Sequence, residues 1–327
     1  MRKWGFAIVM FAALSFPWFI TSVEAKKDNL PRLPGAILLV GYFPDKLVAT
    51  TGDATWELQT DGGNWYVTPS VSADGNLVAS ARIADSASTT PRVRPLLTVS
   101  IYYMIEKRWR DYPNLEIQGG SVAISADGSK LAYVARSTAK APPRIQFLDL
   151  KTGAVSIGPE STKGAGHITW SPDGGRIVFD REDARSADGK EIPPLLAIYV
   201  LDVESGTASK LADGMSPSWS PSGEWIAFYD YSPGRDDVKK GWYAANANRV
   251  SIVRPDGKDY KTLVTFHSDE SLNVQSVWSP DSKSILLNRP RDEDKATMDI
   301  YLLDLATLKI TRKFKNTPPV YGWVRAK

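Results

Sequence analysis

A four-residue turn motif recurs five times along this chain of 327 residues. Each copy has Ser, then Ala or Pro, then Asp or Ser, and finally Gly or Ser. The copies begin at Ser72, Ser125, Ser171, Ser220 and Ser279, and are therefore 53, 46, 49 and 59 residues apart. Repeats of about 40 to 50 residues are typical of four-stranded propeller blades rather than of shorter two-helix solenoid units. The spacing favours a ring of small β-sheets.

The residue types in the motif are those of a tight β-hairpin. Pro presets φ for the second position of a type I turn, Asp hydrogen-bonds to nearby backbone, and Gly accepts the left-handed conformation that closes the hairpin. Because the motif recurs in each repeat, we interpret its carboxylates as structural rather than as catalytic acids or bases. The residues given this role are Asp74, Gly75, Asp127, Gly128, Asp173, Gly174, Gly223 and Asp281.

Strand-like segments surround each motif. An apolar run follows every turn, and Trp170, Trp219 and Trp278 directly precede three of the motif serines. Third strands are predicted at segments such as 198–202 and 300–304, after which a short polar turn leads into a fourth strand. We interpret the repeated Trp as packing between neighbouring blades. The unit is thus strand, tight turn, strand, longer loop, strand, tight turn, strand.

The two ends of the chain look like parts of one more blade. Residues 319–324 resemble a first strand, with Trp323 at the position of the repeated Trp, and segments 37–40, 47–50 and 55–58 can supply the other three strands. Sharing the last blade between the termini removes both exposed sheet edges. The sequence therefore predicts an all-β fold, a β-propeller of about six four-stranded antiparallel blades.

The first residues read as an export signal. Arg2 and Lys3 precede an apolar stretch over residues 4–20, and small residues before Ala25 suit a cleavage site after it. The alternative is an uncleaved anchor, because the apolar stretch approaches the length of a membrane span. Cleavage predicts a periplasmic or secreted protein. The chain then divides into a signal peptide (1–25), a short tail (26–35) and the propeller (36–327).

Composition excludes several classes of function. The 40 basic and 37 acidic residues nearly cancel, so no general field attracts nucleic acid or acidic membranes. Cysteine is absent, which excludes disulfides, thiolate catalysis and Cys-ligated zinc. We expect no cofactor and no metal, no membrane insertion after signal cleavage, and a monomer.

The repeats are similar to the WD-like blades of TolB-type propellers, which are periplasmic components of the Tol-Pal envelope system. The similarity rests on residues 168–179, Ile-Thr-Trp-Ser-Pro-Asp-Gly-Gly-Arg-Ile-Val-Phe, and on the other copies, and extends from about Pro69 onward. It implies a propeller fold and an envelope or secreted protein partner. TolB carries a separate domain before its propeller, whereas only a short tail precedes the first strand here, so the similarity concerns the blades.

Binding is expected on one rim of the ring. Strands alternate in direction within a blade, so the first and third connections lie on one rim and the second connections on the other. The second connections are long and variable, over residues 82–95, 181–194, 230–248 and 289–298. Variable loops on a rigid scaffold favour binding residues, so we expect a protein-binding surface there.

Charged and aromatic residues mark this rim. Arg82, Arg181 and Arg289 stand ten residues after their motif serines, with Arg136 one place further on and Asp230 as the exception. Together they would form an arginine-lined channel mouth that suits carboxylates or phosphates, or each would pair with an acid nearby. In the longest loop, the dipeptide Trp242-Tyr243 is a candidate partner anchor.

An enzymatic role is the alternative. A carbohydrate-active propeller would use carboxylates at the channel mouth, but the chain has no Gly-x-Ser-x-Gly elbow. His167 and His267, its two histidines, are fewer than the metal site of oligogalacturonate-type propeller lyases requires, and His167 is expected to be structural. The acidic segments 181–191 and 291–294 lack the ligand spacing of a calcium loop. We therefore expect a non-catalytic, protein-binding scaffold of the bacterial cell envelope.

Overall fold

The computed structural model describes most of the expected propeller. The described residues are 30–42, 46–51, 54–58, 69–83, 97–117, 121–136, 141–187, 190–231, 247–266, 276–290 and 297–325. Within them, the strands form six four-stranded antiparallel sheets, which confirms the all-β propeller. The predicted signal peptide, residues 1–25, lies outside the described residues, as do His267 and the pair Trp242-Tyr243.

The first three blades include the one that both termini share. Blade 1 contains, from the inside outward, β24 (Val320–Arg325), β1 (Ala36–Tyr42), β2 (Lys46–Thr50) and β3 (Thr55–Leu58). Blade 2 contains β4 (Ser70–Val71), β5 (Leu77–Ile83), β6 (Leu97–Tyr103) and β7 (Arg108–Ile117). Blade 3 contains β8 (Val122–Ile124), β9 (Lys130–Ala135), β10 (Arg144–Asp149) and β11 (Val155–Ile157).

The other three blades follow in chain order. Blade 4 contains β12 (Ile168–Trp170), β13 (Arg176–Ala187), β14 (Lys190–Asp202) and β15 (Ala208–Asp213). Blade 5 contains β16 (Met215–Trp219), β17 (Ile226–Tyr231), β18 (Ala247–Val253) and β19 (Lys261–Thr265). Blade 6 contains β20 (Val277–Trp278), β21 (Ser284–Pro290), β22 (Met298–Asp304) and β23 (Ile310–Thr317). A short 3-10 helix, Glu160–Thr162, lies in the link between blades 3 and 4.

The termini close the ring as predicted. The last strand pairs antiparallel with the first, with Trp323 opposite Leu38, and the three expected N-terminal segments fall within β1, β2 and β3. Trp323 packs against a cluster that includes Val277 of blade 6. Shared pairing between the two ends leaves blade 1 with the same number of strands as its neighbours, so neither terminus adds an open inner edge.

The motif turns are organised by their serine and aspartate side chains. In blade 4, the Ser171 hydroxyl donates to Asp173 and accepts from the Arg176 N–H at 2.9 Å. Gly174 donates its N–H to the Ser171 carbonyl at 3.0 Å and has a φ of 71°, a left-handed conformation that favours glycine. The hydrogen bonds from Ser171 and the backbone lower the pKa of Asp173. The carboxylate therefore serves the turn.

The other motif turns are built in the same way. A hydrogen bond joins the first and third residues in the pairs Ser72–Asp74, Ser125–Asp127, Ser220–Ser222 and Ser279–Asp281. The serine hydroxyl also accepts the backbone N–H five residues later in all of these turns. One side chain thus closes the hairpin between a blade's first two strands.

The repeated tryptophans pack between blades. The Trp170 indole donates to the Ala123 carbonyl of blade 3 at 3.0 Å, and the Trp278 indole donates to the Ser218 carbonyl of blade 5 at the same distance. Both carbonyls belong to the inner strand of the preceding blade, one residue before its end. The buried clusters likewise join residues of adjacent blades. Blade-to-blade contact is therefore where the core of this molecule lies.

The prediction of a long loop in blade 4 is wrong. Residues 181–194 were expected to form a long connection, but β13 and β14 remain paired as far as Ala187 opposite Lys190. A register shift between Asp183 and Arg185 marks a β-bulge in this extension. The charged and small residues of the segment suggested a loop, yet Asp188-Gly189 between the two strands is a dipeptide typical of two-residue hairpins. Blade 4 therefore carries a long hairpin on this rim.

Candidate binding rim

The rim that carries the second connections is formed by the ends of the second strands and the starts of the third. Arg181 was expected at such an end, but it lies in the middle of β13, opposite Ala197 on β14. Its guanidinium donates to the Ser161 carbonyl at 2.7 Å and lies 3.9 Å from the centre of the Tyr199 ring. The Tyr199 hydroxyl in turn donates to Asp183 at 2.8 Å. Arg181 is therefore held by a carbonyl and an aromatic face.

Arg289 has an equivalent place in blade 6. Its guanidinium lies 5.0 Å from the centre of the Tyr301 ring, and Tyr301 is the third-strand counterpart of Tyr199. It also lies 4.9 Å from the Phe266 ring, which follows the last strand of blade 5. Contacts of this kind contribute about 0.5 to 2 kcal/mol each. Arg289 thus bridges two blades.

The other two arginines predicted on this rim are Arg136 and Arg82. Arg136 donates to the Ala141 carbonyl at 2.5 Å, across the base of its connection. Arg82 lies on β5, and its side chain is outside what the structure describes. The contacts of Arg136 and Arg289 anchor the starts of their connections, whereas those of Arg181 lie within the β13–β14 hairpin. An arginine-lined site for carboxylates or phosphates at the channel mouth stays a prediction.

Asp230 reverses the charge at this position in blade 5. It stands opposite Arg249 across the β17–β18 pair, and the two side chains form an ion pair with N–O distance 2.5 Å. The carboxylate also accepts from Tyr260 and, at 3.2 Å, from Ser251. Asp230 is 5% exposed, so it is a buried, paired charge. This cluster fixes both ends of the longest connection, because Asp230 and Arg249 flank it in sequence.

A second buried carboxylate, Asp180, joins blades 4 and 5. It accepts the His167 backbone N–H at 2.7 Å and the Ser216 backbone N–H at 2.7 Å. Its other contact is with the His167 ring, 2.8 Å from Nδ1 to Oδ2. Gly166 passes so close that a Cβ there would lie 2.5 Å from the carboxylate. Asp180 is therefore enclosed by backbone and a histidine ring.

The two partners shift each other's ionisation. Burial alone would lower the pKa of His167, but the charge and hydrogen bond of Asp180 outweigh it and raise this pKa above its ordinary value. Burial alone would raise the pKa of Asp180, but the charge of His167 and the hydrogen bonds from His167 and Ser216 outweigh it and lower that pKa. The pair is thus favoured in its ionised form. His167 is hydrogen-bonded, as predicted, and its structural role stays a prediction.

Asn288 repeats the Asp180 contact between blades 6 and 1. Its amide donates to the Val320 carbonyl at 2.9 Å and accepts the Val320 N–H at 2.8 Å. Asp180 and Asn288 both stand nine residues after their motif serines. Sequence reasoning considered Asp180 only as an ion-pair partner of a neighbouring arginine and did not single out Asn288. The equivalent residues of the other repeats are Ala81, Val134 and Tyr229, so a comparison at this position would have marked both side chains as unusual.

A charged cluster extends the rim on the outer strands of blade 4. Lys210 on β15 contacts Asp183 at 2.6 Å and Asp213 at 2.8 Å. The hydrogen bond from Lys210 is the largest influence that lowers the pKa of Asp183. Among the residues that the structure describes, no group of three or more His, Asp or Glu side chains could hold a metal ion. In the same residues, no helix has the length and apolar character needed to span a membrane.

Known structures share this fold. TolB from Acinetobacter baumannii matches with a TM-score of 0.63 and 16% identity, over 89% of this chain and 66% of that one. A protein assigned as TolB from Agrobacterium tumefaciens matches with a TM-score of 0.54 and 15% identity, over 88% and 91%. An oligogalacturonate lyase in complex with manganese matches with a TM-score of 0.50 and 15% identity, over 86% and 72%.

Comparisons by sequence alone gave no match for this chain. No family model matches it, and the search of curated proteins found no match. This chain spans just under two thirds of the length of the Acinetobacter protein. At these identities the similarity is one of fold, which different functions share. The predicted resemblance to TolB-type blades is confirmed at that level.

Proposed function

We propose that this chain, a propeller with the fold of TolB-type proteins, is an exported, non-catalytic scaffold of the bacterial cell envelope that binds a protein partner. The observation that carries the proposal is the anchoring of the second connections at their bases. The Asp230–Arg249 ion pair and the Arg289–Tyr301 stack each fix such a base. In blade 4, the Arg181–Tyr199 stack lies within the β13–β14 hairpin instead. Long connections on fixed bases are the arrangement that binding proteins use to present a surface.

The carboxylates on this rim support a non-catalytic role. Asp180 accepts two backbone N–H groups and the His167 ring, and Asp230 is paired with Arg249 and Tyr260. A glycosidase needs a carboxyl group that can protonate or attack a sugar, with its partner carboxyl at about 5 to 10 Å. Both of these carboxylates are committed to the fold instead.

Photo-crosslinking in the cell tests the binding surface. A photoreactive phenylalanine derivative replaces Trp242 in the longest second connection, and a control chain carries it at Lys151, an exposed residue in a turn on the opposite rim. We expect a discrete crosslinked protein from position 242 and none of that mass from position 151. Equal crosslinking at both positions would contradict binding through the second connections.

Two further measurements test the rest of the proposal. Fractionation should recover the chain with periplasmic markers, and the mature protein should begin at Lys26. An uncleaved chain in the membrane fraction would favour the anchor alternative. Release of reducing or unsaturated sugars from envelope or plant-type polysaccharides by the purified protein would favour the carbohydrate-active alternative. If this sugar-releasing activity persisted in an Asp230→Asn variant, Asp230 would not be a catalytic residue.

A further inference from the structure

The outer edge of blade 6 carries an unusual set of cations. Its outermost strand β23 is hydrogen-bonded to β22 and to no other described strand. Lys309, directly before this strand, and Lys313 and Lys315 within it are exposed. Among the described residues, none of these three lysines makes an ion pair, whereas Arg312 pairs with Asp299 at 3.2 Å. Within the described part of the chain, this strand and the residue before it therefore present three positive charges that have no ion-pair partner.

Cations on the other outermost strands have carboxylate or aromatic partners within the chain. Lys210 on β15 lies between two aspartates, and Arg108 on β7 pairs with Glu106. Arg110 on β7 and Lys261 on β19 lie against aromatic rings instead, 4.9 Å from the centre of the Tyr112 ring and 5.1 Å from that of the Trp225 ring. The outermost strands of blades 1 and 3 contain neither Lys nor Arg. Since the whole chain is close to neutral, the edge of blade 6 is a local feature and not a consequence of net charge.

The backbone pairing of β23 with β22 is irregular. Arg312 stands opposite Tyr301 and Phe314 opposite Ile300, so a β-bulge leaves Lys313 without a partner on β22. The outer side of an edge strand presents backbone N–H and C=O groups that another strand can pair with. Lysines on such an edge disfavour pairing with a second copy of the same strand, because like charges would face each other. They favour an acidic strand for the same reason.

We propose that β23 is a docking edge for an acidic, extended segment of a partner protein. Main-chain hydrogen bonds to the edge would supply part of the affinity, and the lysines would select carboxylates. The charge complementarity is local to Lys309, Lys313 and Lys315. This surface lies on the outer face of the ring and does not depend on the second connections, so it is a separate site from the rim proposed above.

Fluorescence anisotropy with a labelled peptide tests this edge. The probe is a short peptide of alternating Glu and Thr, and the reference peptide has Lys in place of Glu. The purified mature chain should bind the acidic peptide and not the basic one, with affinity that falls as salt is added. The Lys309→Gln/Lys313→Gln/Lys315→Gln variant should bind the acidic peptide at least about ten times more weakly, a loss of about 1.4 kcal/mol.

A matched variant separates this edge from net charge. Lys151→Gln/Lys258→Gln/Lys283→Gln removes the same number of exposed charges from turns and should bind within about twofold of the wild type. Equal weakening in both variants would overturn the proposal. So would binding of the basic peptide, or lysine-dependent binding of anionic phospholipid vesicles without binding of the acidic peptide. Unchanged circular dichroism and unfolding midpoints establish that the variants are folded.

Discussion

The carboxylate of Asp180 in blade 4 accepts the backbone N–H of Ser216 in blade 5 at 2.7 Å. Ser216 has a φ of 52°, in the left-handed region that costs a non-glycine residue about 1 kcal/mol or more. Ser216 lies in a β-bulge of the β16–β17 pairing, between Met215, which pairs with Tyr229, and Ser218, which pairs with Ala227. A side chain of one blade thus holds an unfavourable backbone conformation in the next, which couples the two blades.

Replacing the carboxylate tests this coupling. In Asp180→Asn, an amide N–H₂ would face N–H donors at one of the two oxygen positions, so a buried donor loses its acceptor. We expect the free energy of unfolding to fall by about 1 to 3 kcal/mol, measured by urea denaturation. The reciprocal change Asn288→Asp should also destabilise, because a carboxylate oxygen would face the Val320 carbonyl. The exposed change Glu224→Gln should stay within about 0.5 kcal/mol.

The His167–Asp180 pair should make stability depend on pH. The raised pKa of His167 contributes stability that is fully present below its ordinary pKa of 6.5 and is lost as pH rises through the raised value. The lowered pKa of Asp180 contributes stability that is present above its ordinary pKa of 3.8 and is lost as pH falls through the lowered value. The contribution is therefore largest between these two ordinary values.

The contribution of the His167–Asp180 pair is measured by the difference in unfolding free energy between the wild type and His167→Gln. We expect this difference to be larger at about pH 5 than at about pH 9. The same comparison with His267→Gln measures how much the other histidine contributes to the pH dependence of the unfolding free energy. A difference that stays constant over this range would contradict ionisation of the pair.

The Asp230–Arg249 pair should show strong coupling. Asp230→Ala leaves a largely buried guanidinium without its carboxylate, and we expect a loss of about 3 to 5 kcal/mol in unfolding free energy. Asp230→Ala/Arg249→Ala should lose less than the sum of the single changes. The exposed pair Arg254–Asp259 is the control, with an expected coupling of about 0 to 1 kcal/mol. Additive losses at Asp230 and Arg249 would mean that the pair does not act as a unit.

The indole hydrogen bond between blades can be removed alone. Trp278→Phe keeps an aromatic ring in the blade 5–6 core but loses the donor to the Ser218 carbonyl. We expect guanidinium denaturation to show a loss of about 1 to 3 kcal/mol from the unpaired carbonyl and the smaller ring. Thr307→Ala, in an exposed turn, provides the comparison for a local hydrogen bond. An unchanged midpoint in Trp278→Phe would show that this contact is dispensable.

The sequence predicted the architecture because each blade is built from local signals. Motif serines, aspartates and glycines close hairpins within six residues, and this local chemistry recurs with a period that identifies a blade. The sequence also predicted that the two termini share one blade. Trp323 stands at the position of the repeated Trp, and three strand-like segments lie near the N-terminus. The sequence did not predict the length of the β13–β14 hairpin, whose charged residues suggested a loop.

The side-chain partners on the rim required the tertiary structure. Arg181 and Arg289 stand at equivalent positions in their repeats, and the sequence could assign them as anion-binding residues or as members of ion pairs. Their aromatic contacts depend on third strands and on neighbouring blades, which lie far away in the chain. Asp180 was considered only as an ion-pair partner of an arginine, because its partner Ser216 belongs to another repeat.

The sequence by itself thus determined the repeat, the hairpins and the sharing of one blade between the termini, because these depend on residues a few positions apart and on their period. The tertiary structure decided which polar groups meet between blades. Those contacts depend on the relative placement of whole sheets, and no local pattern encodes that placement.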